Sequence, residues 1–252
     1  MNKKEQGLTY ALGSEWYSKL KDVFETDALN SISTYLRERA KESKGYPPKK
    51  PIIIPEKKDW FKAFRLTPFS DVRVVILGGY PYDKVINGQP ISDGLAWSSE
   101  EPFETPQACK DIFDELETDI YDGLYVNRNA DFKRWASQGV FLLNEVLTCE
   151  KDKPAAHSSI GWDTLTGKAL QLLLEDTTPK IFVIWGEDAN AFFEAAVGVS
   201  EVKGEHHVLK AQAPGLENEE KLEPFLSPFK GCKHFSQINT LLKDLHNYEI
   251  QW

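Results

Sequence analysis

No stretch of this sequence is apolar for long enough to cross a bilayer. The longest runs, Val72 to Leu77 and Ile181 to Trp185, fall far short of the roughly 20 residues that a spanning helix needs. The N-terminus, Met1-Asn2-Lys3-Lys4-Glu5-Gln6, starts basic but has no apolar segment behind it. A secretory leader is therefore not supported, and an intracellular, cytoplasmic protein is expected. Cysteine is scarce too. Cys109, Cys149 and Cys232 are odd in number, widely spaced, and without a second cysteine or histidine at metal-ligand spacing. That pattern argues against a disulfide framework and against a metal site, and predicts buried free thiols. Positive charge is in deficit, with 30 Lys and Arg against 39 Asp and Glu, a formal net charge of −9. Whole-surface attraction to a polyanion is disfavoured, leaving room only for a local basic face. Internal repeats and low-complexity segments are absent. What remains, 41% hydrophobic and 27% charged residues over 252 positions, suits one globular domain spanning residues 1–252 with a sizeable core.

Residues Ser14 to Ser43 read as helix, with Trp16, Leu20, Val23 and Phe24 at helical spacing, then Leu29, Ile32, Tyr35 and Leu36. From Gly45 to Pro55, four prolines exclude regular helix and predict an extended connection. Four short apolar runs follow: Val72 to Leu77, Val140 to Leu143, Ile181 to Trp185 and His206 to Leu209. Strands buried on both faces read this way, and helical stretches such as Asp111 to Leu116 and Thr164 to Leu174 supply crossovers. The prediction is an α/β domain with a central, mostly four-stranded parallel sheet flanked by helices. Sites in such sheets form beyond the strand ends, here Gly78 to Asp83, Asn144 to Cys149, Gly186 to Asn190 and Lys210 to Leu216.

These strand-end segments carry a resemblance, in chain order, to one family. The stretch Leu66 to Asp83, Gly94-Leu95-Ala96-Trp97-Ser98, the long run Trp135 to Thr148, His157, Gly161-Trp162, Trp185-Gly186, His206 to Leu209, Gly231 to Ser236 and the terminal Glu249 to Trp252 together resemble family 1 uracil-DNA glycosylases. The resemblance implies a pocket that receives a nucleotide rotated out of duplex DNA, and chemistry that cuts an N-glycosidic bond without a cofactor. It implies DNA as partner, a protein inhibitor of glycosylases as a second one, a monomer, and nucleoid association in a bacterial cell.

Within that resemblance some positions match and others depart. Asn144 matches the amide that reads the base edge, Tyr82 a pocket wall, and Trp97 stands in the place of a stacking phenylalanine. Where the family has Gly-Gln-Asp-Pro-Tyr-His, this chain has Gly78-Gly79-Tyr80-Pro81-Tyr82-Asp83, so Tyr80 replaces the catalytic aspartate and Gly79 takes a side chain out of the pocket. Ala213-Pro214-Gly215-Leu216 stands where the family's leaving-group histidine and wedge leucine are expected, with Leu216, Leu222 and Leu226 as candidate wedges. Asp83 is the preferred replacement carboxylate and Asp93 the alternative, while Tyr80, a phenol with pKa near ~10, is a poor base but a fair donor. Ser98, Gly186 and Gly215 match positions that approach DNA phosphates, and Pro106 matches a proline loop that pinches the strand.

Without the resemblance, Asp83 reads as a solvated loop aspartate, Tyr82 and Trp97 as core aromatics, and Asn144 as a turn residue. His206 and His207, adjacent on a strand, face opposite sides and are assigned to structure. The acidic run Glu217 to Glu223 reads as a solvated loop that would repel DNA. Two functions compete: a DNA glycosylase for a modified or non-uracil base, in DNA repair or in defence against viral DNA, and a catalytically silent relative that binds DNA or protein. The stretch Asp83 to Gly94, a few residues longer than the family pattern, together with Gly79, points to the first.

Overall fold

The computed structural model describes residues 2–42, 51–100, 104–124, 127–216 and 226–252. Ser43, the proline-rich connection before residue 51, and the run Glu217 to Glu223 with Leu222 lie outside these. The elements in chain order are helices α1 (Lys3–Leu12), α2 (Ser14–Phe24) and α3 (Asp27–Arg39), strand β1 (Ile53–Ile54), α4 (Lys62–Leu66), β2 (Val74–Gly78), the short pair β3 (Val85–Ile86) and β4 (Gln89–Pro90), α5 (Gln107–Asp119), α6 (Lys133–Ala136), β5 (Val140–Asn144), β6 (Cys149–Glu150), α7 (Trp162–Leu174), β7 (Ile181–Trp185), α8 (Glu187–Val197), β8 (His207–Ala211) and α9 (His234–His246). Four of the strands form one parallel sheet in the order β5-β2-β7-β8. Every residue of β2, β5 and β7 is buried, which is why these strands appear in the sequence as unbroken apolar runs.

The predicted helix from Ser14 onward is two helices. Thr26 is extended (φ −77°, ψ 157°) and its hydroxyl donates to the Val23 carbonyl oxygen at 2.7 Å, so the chain turns between α2 and α3. The turn lets Trp16, Leu20 and Phe24 and then Ile32 and Leu36 all face the core; Tyr35 stays at the surface, its ring edge-on to His157. Helix α1 precedes both, started by Asn2, which accepts from the Glu5 N–H while the Glu5 carboxylate accepts from the Asn2 N–H. Trp16 anchors this helical layer on the sheet. It stacks on Phe141 of β5 with centroids 5.0 Å apart and donates its indole N–H to the Thr67 carbonyl at 2.8 Å.

The extra residues after Asp83 form a hairpin, β3 with β4, around Asn87-Gly88. Both turn residues have positive φ (51° and 83°), the geometry of a tight two-residue hairpin, for which Asn-Gly is the favoured pair. His206 falls just before β8, where its Nδ1 accepts from the Lys180 N–H and its Nε2 lies 3.0 Å from the Leu174 carbonyl. That is a structural role. All three cysteines are free; Cys109 and Cys149 are buried, but Cys232 is only half-buried, contrary to expectation. Among the described residues no helix is long and apolar enough to cross a membrane.

Candidate functional site

The carboxyl ends of β2, β5 and β7 and the segment after β8 enclose a cleft of about 780 Å³, lined by Tyr80, Tyr82, Trp97, Asn144, Asp188 and Leu216 among others. This is where a doubly wound sheet places its ligands.

The floor follows from strand register. Gly78 ends β2 directly beside Asn144, the last residue of β5. A side chain at position 78 would put its Cβ 2.5 Å from Asn144 Oδ1, so the missing side chain is what gives the amide its place. Asn144 is 5% exposed, and among the described residues its amide has no hydrogen-bond partner. A buried amide with one donor side and one acceptor side open to a cleft is suited to the edge of a heterocycle. The turn after it is pinned to β2, with the Glu145 N–H donating to the Gly78 carbonyl and the Val146 N–H to that of Gly79. Beneath the turn, Trp162 donates to the Thr148 hydroxyl at 2.7 Å, which lies 2.8 Å from His157 Nδ1; burial pushes that histidine's pKa down.

Trp97 forms a side of the cleft. Its backbone lies at φ +64°, a region costly for a bulky residue, and is held there because the indole donates to the Leu77 carbonyl at 2.9 Å. The Tyr82 hydroxyl and the Cys109 thiol both donate to the Trp97 carbonyl, at 3.1 and 3.0 Å. Burial, reinforced by Cys109, pushes the Tyr82 hydroxyl well above its ordinary pKa, so the ring is a fixed, neutral wall. Tyr80 also lines the cleft, its hydroxyl pushed up by burial and by Asp188 and Glu145.

Among the predicted carboxylates, Asp83 lines the cleft, with Lys84 3.9 Å away. Asp93 does not. It is buried against Lys62 at 2.8 Å, accepts from the Leu95 N–H, and lies 3.0 Å from the Ser98 hydroxyl, so all its bonding capacity is turned inward. Three of the predicted phosphate contacts likewise have their polar groups bonded within the protein. Ser98 is fully buried, its hydroxyl engaged with Asp93, the Ala130 carbonyl and the Phe132 N–H. The Gly186 N–H donates to the Ala211 carbonyl at 3.0 Å and the Gly215 N–H to Asp111 at 2.6 Å, so neither is free for a phosphate. Pro106 caps α5, half-buried, and does not line the cleft.

The space expected beside Gly79 is also filled. A Cβ at position 79 would lie 3.1 Å from Asp188 Cβ and 3.3 Å from its Oδ2, so the Asp188 side chain occupies it. Asp188, in the first turn of α8, was not among the residues singled out from the sequence, although it lies in the segment Gly186 to Asn190 that follows β7. Its carboxyl is pushed up by partial burial and by neighbouring Glu187. Gln212, Pro154 and Glu187 are further lining residues that sequence reasoning missed. Of the candidate wedges, Leu216 is 43% exposed at the cleft, whereas Leu226 is 6% exposed. No group of three or more His, Cys, Asp or Glu among the described residues is arranged to hold a metal ion.

No family model matches the chain. It is 35% identical over 241 residues to the uracil-DNA glycosylase of Fusobacterium nucleatum, covering 96% of both chains, and 32% identical over 241 residues to that of Clostridioides difficile, again covering 96% of both. Among solved structures it is similar to mimivirus uracil-DNA glycosylase, with a TM-score of 0.78 at 22% identity, covering 95% of this chain and 86% of that one.

Proposed function

The chain belongs to the uracil-DNA glycosylase family, and on that premise we propose that it is a DNA glycosylase, a hydrolase that cuts the N-glycosidic bond of a base flipped out of DNA. The observation that carries this reading is the unpartnered Asn144 amide on the floor of a cleft that Trp97 and the fixed Tyr82 also line. Extruding a nucleotide costs about a few kcal/mol, and an exposed Leu216 at the mouth is suited to fill the gap left in the stack. Asp83 and Tyr80 flank the bound sugar in this reading, Asp83 as an electrostatic partner of the developing cation and Tyr80 as a neutral donor. The enzyme acts as a monomer, and a protein inhibitor of glycosylases would compete for the same cleft.

We further propose that the base is a modified one, as in defence against viral DNA. Tyr82 is held in place and Asp188 fills the space beside Gly79, so in this reading a larger base extends toward Ala213, a cleft-lining residue whose side chain is a single methyl. The test is base release from oligonucleotides carrying uracil and a panel of modified pyrimidines, read by alkaline cleavage at the abasic site. Release from a modified substrate in preference to uracil is expected, and no release from any of them refutes the enzyme reading. Tyr80 and Ala213, in place of the two catalytic side chains, favour the second reading, a silent DNA-binding relative. It would show as tight binding to abasic DNA with no turnover.

A further inference from the structure

We propose that Asp188 is the carboxylate that orients and deprotonates the attacking water, in place of the acid missing at Tyr80. This rests on the glycosylase reading of the cleft. Hydrolysis at the sugar needs a group that holds water against the anomeric carbon and takes its proton. Of the acids near the strand ends, Asp93 is consumed by Lys62, Leu95 and Ser98, Glu145 does not line the cleft, and Asp83 has a lysine ammonium 3.9 Å away. Asp188 lines the cleft and, among the described residues, makes no hydrogen bond or ion pair. The residue is exposed, so its carboxylate is open to water.

Its position is set by an exchange elsewhere. The carboxylate lies against Gly79 so closely that a Cβ there would be 3.3 Å from Oδ2, tighter than ordinary contact. A long side chain at 79 would press the carboxylate out of its present place. The glycine at 79 and the aspartate at 188 thus form one unit: the first makes the space, and the second brings a negative charge toward Tyr80, whose hydroxyl is pushed up by burial and then by Asp188 and Glu145. The three atoms nearest to a Cβ at position 79 all belong to Asp188 and none to Glu187, the neighbouring acid. Partial burial and Glu187 raise the Asp188 carboxyl above the ordinary aspartate range, in the direction that makes a carboxylate a better base near neutrality.

The step balances without a co-reactant. The bond between the anomeric carbon and the base nitrogen breaks with its electron pair on the base, which takes a proton from solvent. Water oxygen bonds to the anomeric carbon, its proton passes to Asp188, and Asp188 returns it to solvent.

The test is single-turnover base release by wild type, Asp188→Asn, Gly79→Gln and Asp83→Asn from about pH 4 to about pH 8, with binding to abasic-site DNA as the check that the cleft is intact. Asp188→Asn is expected to slow the chemical step by about 100-fold or more and to remove the acidic limb of the pH profile, with abasic-DNA affinity within about two-fold of wild type. Gly79→Gln is expected to reproduce the loss, while Asp83→Asn slows the step and keeps the acidic limb. An Asp188→Asn enzyme with wild-type rate and an unchanged acidic limb overturns the proposal and leaves the glycosylase reading standing. A wild-type protein that releases no base overturns both.

Discussion

Replacing Lys62 by methionine isolates one buried charge directly beneath the cleft. The Lys62 ammonium and the Asp93 carboxylate are 2.8 Å apart, with side chains 5% and 1% exposed, and the same carboxylate receives the Leu95 N–H at 3.1 Å and lies 3.0 Å from the Ser98 hydroxyl. Methionine keeps the length of the lysine stem and removes the charge, so Asp93 is left buried with only neutral donors. Breaking such a pair from one side costs about 3–5 kcal/mol. With an unfolding entropy of ~2.1 cal/mol/K per residue over a chain of this length, that is a fall in Tm of roughly 6–9 °C. Asp93→Asn added to Lys62→Met removes the orphaned charge and leaves an amide oxygen for the Leu95 N–H, so the double variant should recover to within about 1–2 kcal/mol of wild type. Urea unfolding followed by tryptophan fluorescence measures both. A loss below about 1 kcal/mol for Lys62→Met, or a double variant no better than the single, refutes the view that the loop under Trp97 is held by a desolvated ion pair.

Two further expectations follow from the same geometry. Gly78→Ala places a methyl 2.5 Å from Asn144 Oδ1, forcing the amide roughly 1 Å from its place, which should cost about 100-fold in kcat/KM for base release and about 1–3 kcal/mol in unfolding free energy, leaving the protein folded; an unchanged kcat/KM means Asn144 does not read the base. For pH, burial depresses His234, which accepts the Trp185 indole N–H at 3.0 Å, from 6.5 to about 4. Its folded pKa lies below its unfolded one, so its contribution is complete above pH 6.5 and is lost as pH falls toward 4, up to about 3 kcal/mol. His157, His206 and His246 are shifted in the same direction. Stability measured from pH 7 to about pH 4.5 should fall, and fall less steeply in His234→Gln; a flat profile in wild type contradicts the assignment.

The sheet was legible because β2, β5 and β7 are buried on both faces, and burial of that kind leaves an unmistakable apolar run in the sequence. Helix limits were less so: the break at Thr26 is a change of one residue's ψ to 157°, which leaves no mark on the apolar spacing that continues across it. The hairpin after Asp83 did carry a signal, the Asn87-Gly88 pair, which identifies the turn once the flanking residues are read as strands. Asn144, Tyr82 and Trp97, which line the cleft, could be singled out because each sits at a strand end or in a run matched to a known family. That the polar groups of Ser98, Asp93, Gly186 and Gly215 are already bonded within the protein was not legible, because sequence gives the chemistry of a group and not whether its bonds are already used. Asp188 was missed for the converse reason: nothing at position 188 marks it, and its meaning depends on the missing side chain at Gly79, over a hundred residues away.

The choice between an enzyme and a silent relative also has a physical side. The Asn144 amide has no protein partner among the described residues and faces the cleft, and a tryptophan held at φ +64° costs about 1–3 kcal/mol. Both features lie on adjacent walls of one cleft, Asn144 beside Gly78 and Trp97 with its indole on Leu77. A module that met DNA only through its outer surface would be more stable with an apolar residue at 144 and a relaxed loop at 97, and nothing in the sheet prevents either. A ligand that bonds the amide and covers the indole would satisfy both on binding. The walls of the cleft thus suit an occupant of the size and polarity of a base, and base release against tight, turnover-free binding of abasic DNA separates the enzyme from the silent relative.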